Sequence, residues 1–238
     1  SFLKLSPAVV LCTNVDRDHL DHYGTFDRLR EAFVEHLNAV PFYGYNVVCG
    51  DDPGVRSILR RLRRRVHTYG TGGANEFVAR NVHFCAEGLR YEAWHRGDHI
   101  GTVSLRAWGI HNVRNSLAVV AVAHLTGLSW RAVRRALASY QGVGRRLEFK
   151  GTVCTADGGS VDVYDDYGHH PTEIRATLDA LRLKTRKRPV IVFQPHRYTR
   201  TRALWREFAA AFRARDRVRL MPLYPAGEPP IPGVSEQL

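Results

Sequence analysis

Methionine is nearly missing from this 238-residue chain. Met221 is the only one, and the sequence opens on Ser1-Phe2 and reaches an apolar run within a few residues. With no initiating Met, the expectation is a piece of a longer protein, so every functional reading concerns a part. Cysteine is scarce too. Cys12, Cys49, Cys85 and Cys154 lie 37, 36 and 69 positions apart; none forms C-x-x-C and no zinc spacing results. Buried free thiols in a reducing cytoplasm are expected instead. Long hydrophobic runs are missing: the longest stretch, residues 113–128, is interrupted by Arg114, Asn115 and His124, too short and too polar for a membrane span. No signal peptide precedes the first strand-like run, and there are no internal repeats or low-complexity tracts.

Acidic residues are outnumbered. Lys and Arg total 35 against 23 Asp and Glu, a formal charge of +12. The excess is scattered Arg, as in Arg60-Arg61, Arg63-Arg64-Arg65, Arg134-Arg135 and residues 186–188. Aromatic residues do not interleave with these runs as stacking platforms for nucleic acid would require. A solvated Arg-rich surface, or an anionic small substrate held by Arg forks, is the expectation. Hydrophobic residues at 44% and charged residues at 24% are ordinary globular values, which excludes a disordered or fibrous chain.

The pattern along the chain is α/β. Residues 8–15 (AVVLCTNV) read as a buried strand. Residues 25–40 read as a helix capped by Thr25, with Phe26, Leu29, Phe33 and Leu37 at helical spacing. A strand at 45–49 follows, then a helix opened by Asp51-Asp52-Pro53, and a strand at 66–69 broken by glycines. From 76 to 107 the period shifts towards two, with turns at Glu87-Gly88 and Arg96-Gly97. Helices are predicted near 111–126 and 129–140, and a linker at 141–144. Beyond it come strands at 148–154 and 161–164, a helix at 172–183, a strand at 189–193, a helix at 201–213 and a strand at 217–220. The fold class predicted is α/β: a first domain, residues 1–144, with a mostly parallel sheet and a small antiparallel section, and at 145–238 the first part of a Rossmann-like, doubly wound domain, incomplete at its end.

Five clusters carry chemistry. Residues 13–21 (TNVDRDHLD) follow the first strand, where α/β folds place ligands; His19 can offer an imidazole to a metal, oriented by Asp18 or Asp21, or be a solvated loop His. At 109–115 (GIHNVRN), Asn112 and Asn115 share a face of a first helical turn, and an Asn amide pairs with a base edge through one donor and one acceptor; helix capping by Asn112 is the plainer alternative. Arg145-Arg146 at the linker can clamp phosphate as a second domain closes, or form a surface basic pair. Residues 165–173 (DDYGHHPTE) join a strand to a helix and hold more acid, His and Tyr than a turn needs; adjacent histidines rarely converge on one zinc ion. Residues 193–202 (FQPHRYTRTR) read as a basic strand-end loop able to trap carboxylate or phosphate. Alternation along an extended loop would point Arg200 and Arg202 the same way, with Arg197 offset.

Taken in order, these motifs resemble the Mur ligases. SFLKLSP at 1–7, T-N-x-x-x-D-H-L-D at 13–21, PFYG at 41–44, H-N-x-x-N at 111–115 and G-V-x-R-R at 142–146 are similar to the central ATP-binding domain and hinge. D-D-Y-x-H-H-P-T-E at 165–173 and F-Q-P-H-R-Y-T-R-T-R at 193–202 are similar to the C-terminal domain, in the branch that adds alanine. The resemblance covers essentially all 238 residues. It implies an ATP- and Mg²⁺-dependent amide ligase of peptidoglycan precursor synthesis, cytoplasmic, joining L-alanine to UDP-N-acetylmuramate through an acyl phosphate, with no nucleic-acid or membrane partner. It implies His19 as a Mg²⁺ ligand; His111, Asn112 and Asn115 holding adenine; Arg146 and Asp166 contacting the nucleotide; and His196, Arg197 and Arg200, with Tyr167 and His169, lining the alanine and acyl end. The family's UDP-binding domain, its G-x-x-G-K-T phosphate loop, a metal-binding Glu and the last strands of the C-terminal domain have no counterpart in these residues. Where many relatives carry a carbamylated Lys, Phe33 stands, so no carbamate is expected. The alternatives are a nucleotide-binding piece without catalysis, or a Mur ligase adding a different amino acid or peptide.

Overall fold

In the computed structural model, which describes residues 2–185 and 187–236, strands β1 (Val9–Cys12), β2 (Tyr45–Cys49) and β3 (Val66–Gly70) run parallel and in register. Ser1, Arg186 and the side chain of Asp21, all singled out above, lie outside the described residues. The chain divides into two units, Ser1–Tyr140 and Gln141–Leu238.

In the first unit the helices are α1 (Leu20–Tyr23), α2 (Phe26–Asn38) and α3 (Pro53–Ile58). Thr25 caps α2 by accepting from the Arg28 amide at 3.2 Å. Asp52 caps α3, with Pro53 in its first turn. Residues of β2 alternate between two cores. Val47 and Cys49 face one, and Val48 faces the other, where Leu37, Val55 and Ile58 pack with Cys12 and Val15. Burial on both faces is why β2 has no polar alternation. β1 departs from the expectation: Val9 and Leu11 are exposed, because β1 is the edge strand of this sheet and one of its faces carries no apolar cover among the described residues. Phe33 packs within the α2 core and against the Phe2 ring, at a centroid distance of 5.2 Å.

The sheet then changes direction. β4 (Phe77–Cys85) pairs parallel with β3, and β5 (Gly88–His95) and β6 (Asp98–Leu105) continue antiparallel, giving the order β1-β2-β3-β4-β5-β6. The β5–β6 turn uses Arg96 and Gly97, both at positive φ, as the tight hairpin twist demands. Helix α4 (Ile110–Leu125) crosses the sheet on Val113, Leu117, Ala118 and Ala121, all fully buried. Helix α5 (Trp130–Ala138) seats Trp130 over Gly101, where a Cβ would come within 2.3 Å of the indole. The thiols split: Cys12 and Cys49 are buried, and burial pushes the Cys12 thiol up to about 12. Cys85 and Cys154 are exposed, which corrects the expectation of four buried thiols.

The second unit holds β7 (Glu148–Cys154) and β8 (Ser160–Asp165) as an antiparallel hairpin, then α6 (Pro171–Lys184), β9 (Val190–Phe193), α7 (Tyr198–Ala209) and β10 (Arg217–Leu220). β9 and β10 pair parallel across the α7 crossover, the repeating step of a doubly wound fold. Ile174, Leu178, Phe193, Leu204 and Phe208 form its core. Among the described residues β8 pairs only with β7 and β9 only with β10. Their remaining edges flank a cavity of about 500 Å³. No described helix is long and apolar enough to cross a membrane.

Candidate functional site

His19 lies at the start of α1, in the left-handed region at φ 56 and 69% exposed, with Nε2 3.6 Å from Asp18 Oδ2. Its loop is anchored upstream. The Val15 amide donates to Asp52 Oδ1 at 3.1 Å, and the Val15 carbonyl sits over Gly54, where a Cβ would come within 1.8 Å. Among the described residues no three His, Cys, Asp or Glu side chains gather to hold a metal. A Mg²⁺ ion beside His19 would take most of its ligands from phosphate oxygens and water, because the described residues offer no cage of oxygens there.

The N-cap of α4 is Gly109, φ 95, with no side-chain cap, so Asn112 is not the cap. Its Nδ2 donates to the Trp108 carbonyl at 2.8 Å and lies 3.1 Å from His111 Nε2. Asn112 thereby spends an amide hydrogen on the Trp108 carbonyl, and its Oδ1 is left for a ligand. Asn115 is exposed on the next turn and is the residue able to offer donor and acceptor together.

In the second unit Arg145 pairs with Asp165 at 3.4 Å and lies over the Tyr167 ring at 4.6 Å. Arg146 pairs with Glu173 at 3.1 Å. Asp166 organises its own turn: it accepts from the Leu147 amide at 2.8 Å, the Gly168 amide at 2.7 Å and the Thr177 hydroxyl at 3.1 Å. The second His of the pair, His170, is buried and caps α6 with Glu173 in a reciprocal capping box. His169 meets Tyr167 edge-on at 5.1 Å and stacks at 6.4 Å on His196. Tyr167, His169, His196 and Arg145 all line the cavity.

The basic segment differs from the expectation. α7 begins at Tyr198, so Arg200 and Arg202 lie on a helix. Two residues turn a helix by about 200°, and the two side chains diverge instead of aligning. Arg202 is exposed and Arg200 half-buried, close enough for its charge to act on His196. Arg197 holds the strained position, φ 72, before α7. Its amide donates to the Tyr224 carbonyl at 2.9 Å, and its guanidinium lies 3.9 Å from Glu228.

Tyr224 and Glu228 were not legible as site residues. Glu228 receives the Thr199 amide at 3.0 Å and hydroxyl at 2.7 Å, capping α7 from beyond β10. An acid following a Pro-Ala-Gly turn was the only signal. Burial, followed by the charges of His169, Arg200 and Arg145, lowers the pKa of His196. Its NMR titration midpoint is expected below the usual value of about 6.5. The sign follows: the unfolded chain takes up this proton first, so His196 contributes stability above about pH 6.5 that is lost as pH falls towards its folded value. A midpoint above 6.5 contradicts this.

Residues 1–123 match the family described as Mur ligase middle domain, and residues 145–235 match the Mur ligase, glutamate ligase domain. The UDP-N-acetylmuramate--L-alanine ligase of Syntrophus aciditrophicus (strain SB) is 46% identical over the whole chain and 48% of its own length. That of Nitratidesulfovibrio vulgaris (strain DP4) is 50% identical over the whole chain and 51% of its length. The chain thus spans about half the length of these curated relatives. In fold it is similar to the MurF ligase of Thermotoga maritima solved in complex with ADP, with TM-score 0.70 and 22% identity over 94% of this chain and 49% of that one. With the middle-domain match covering more than half of its residues, the chain belongs to the Mur ligase family.

Proposed function

We propose that this chain is the central and C-terminal part, residues 1–144 and 145–238, of a cytoplasmic, ATP-dependent ligase that joins L-alanine to UDP-N-acetylmuramate in peptidoglycan precursor synthesis. The observation that carries the acceptor half is the gathering of Arg145, Tyr167, His169 and His196 around one cavity at the carboxyl ends of β8 and β9. The substrates follow the names of the relatives, which are 46% and 50% identical across the whole chain.

In this reading the muramoyl carboxylate attacks the γ-phosphate of ATP, ADP leaves, and the alanine amine displaces phosphate from the acyl phosphate. Such chemistry rests on positioning and charge neutralisation. Mg²⁺, held by His19 together with the phosphates, would neutralise charge on the transferring phosphoryl group. Asn115, with the Asn112 carbonyl oxygen and His111, holds adenine. Arg146 and Asp166 would contact the nucleotide. Arg200 and Arg197 fix the alanine carboxylate. His196, whose pKa is lowered by partial burial and by the nearby charges of His169, Arg200 and Arg145, can accept a proton from the alanine ammonium so that the free amine attacks.

The test is phosphate release by the full-length protein, which should require UDP-N-acetylmuramate, alanine and ATP together. The 238-residue chain alone, which holds no G-x-x-x-x-G-K-[ST] sequence, should show no turnover. Asn115→Ala should raise the ATP KM by about 5- to 150-fold with little change in kcat, the cost of one buried hydrogen bond at about 1–3 kcal/mol. A KM unchanged beside a lowered melting temperature makes Asn115 a packing residue.

A further inference from the structure

Two adjacent carboxylates at the carboxyl end of β2 reach opposite ways. Asp51 is 9% exposed and accepts five hydrogen bonds: the Thr71 amide at 2.7 Å and hydroxyl at 2.8 Å, the Gly72 amide at 3.0 Å, Asn75 Nδ2 at 2.9 Å and Arg114 Nε at 3.1 Å. Two glycines make room for this hub. A Cβ at Gly70 would come within 2.3 Å of the Asp51 carboxylate, and one at Gly50 within 2.0 Å of the Asn75 amide oxygen. Burial opposes ionisation of Asp51, but the Thr71 and Gly72 hydrogen bonds and the Arg114 charge outweigh it and bring the carboxyl down to about 2. Asp52 turns to the other side, where its Oδ1 accepts the Val55 amide at 2.8 Å and the Val15 amide at 3.1 Å.

We infer that Asp51 and Asp52 are the positioning centre of the first unit's site: Asp51 sets the rotation of α4 through Arg114, and Asp52 sets the loop that carries His19. Helix α4 buries Val113, Leu117, Ala118, Ala121 and Ala123. Val120 and Ser116 complete this buried face; apolar volume and pattern bring such a face to the sheet, and specific contacts fix one arrangement of it. Polar ties are among those contacts. Arg114 lies between Asn112 and Asn115, and its bond to Asp51 spans 63 residues of sequence. One further tie, Tyr91 to Ser116 at 3.0 Å, acts two residues on. Rotation about the helix axis would carry Asn115 away from any base it holds. The inference rests on the assignment of Asn115 to adenine and of His19 to the reacting phosphate.

Steady-state kinetics of the full-length protein test it. Arg114→Ala should raise the ATP KM by about tenfold with kcat nearly unchanged. Arg114→Lys, which keeps a cation within reach of Asp51, should recover most of that loss. Asp52→Asn should do the reverse, lowering kcat more than it raises the ATP KM. In the double variant Arg114→Ala with Asn115→Ala, KM should stay near that of Asn115→Ala alone, because Arg114 acts through Asn115. Arg114, and not the buried Asp51, is the side chain varied, since it is a third exposed and its loss is expected to leave the fold intact. A normal KM in Arg114→Ala beside a raised KM in Asn115→Ala overturns the positioning role and leaves the nucleotide assignment standing. An unchanged KM in Asn115→Ala overturns both. Losses in every variant that track melting temperature, without the KM–kcat split, reduce the two carboxylates to fold stability.

Discussion

His19→Ala in the full-length protein is expected to lower kcat by at least about 100-fold while leaving the KM for alanine nearly unchanged. The outer partners of metal ligands already cost about 10- to 100-fold when removed, and His19 is read as a direct ligand. Its geometry suits that task. The residue holds a left-handed backbone at φ 56, which costs energy for a non-glycine residue. Upstream, Val15 is fixed by Asp52 and by contact with Gly54. A solvated loop His would need neither. Turnover at saturating Mg²⁺ decides: an unchanged kcat returns His19 to an ordinary loop residue.

Arg200→Lys should weaken the use of alanine by about 10- to 150-fold in kcat/KM and leave the ATP KM nearly unchanged. A carboxylate held by a guanidinium fork loses one charge-assisted bond when the fork becomes a point charge, about 1.5–3 kcal/mol. Arg200 sits in the first turns of α7, within electrostatic reach of His196. The helix start is held by Glu228 through Thr199, so the guanidinium is presented from a fixed element and not from a loose loop. Alanine kinetics equal to the parent's would make this end of α7 a solvated basic surface.

The local elements were largely legible, and the long-range ties were not. Thr25 before Phe26, Leu29 and Leu37 marks α2 because cap and apolar period agree within a few residues. Arg96-Gly97 marks its hairpin for the same reason. The start of α7 was placed three residues late. Arg197 offers no cap, and the acid that does the capping is Glu228, on the far side of β10. β1 looked buried on both faces because its composition says nothing about what covers it. That Asp166 accepts from the Leu147 amide and Asn112 donates to the Trp108 carbonyl was not legible in the sequence, because each bond depends on how a loop folds back. Asp51 and Asp52 read only as a helix start, since nothing local announces a partner 63 positions away.

The strand edges of β8 and β9 that are unpaired among the described residues bear on how this chain behaves in solution. Val161 and Val163 on β8, and Val190 and Val192 on β9, are between 41% and 65% exposed. Open strand edges beside exposed valines are templates for pairing with another chain. The net charge of +12 works against such pairing, because like-charged molecules repel before their edges meet. That protection depends on ionic strength. The Debye length shrinks from about 30 Å at 0.01 M salt to about 8 Å at 0.15 M. The isolated chain should therefore stay dispersed in dilute buffer and begin to self-associate as salt is added, the opposite of an assembly held by charge.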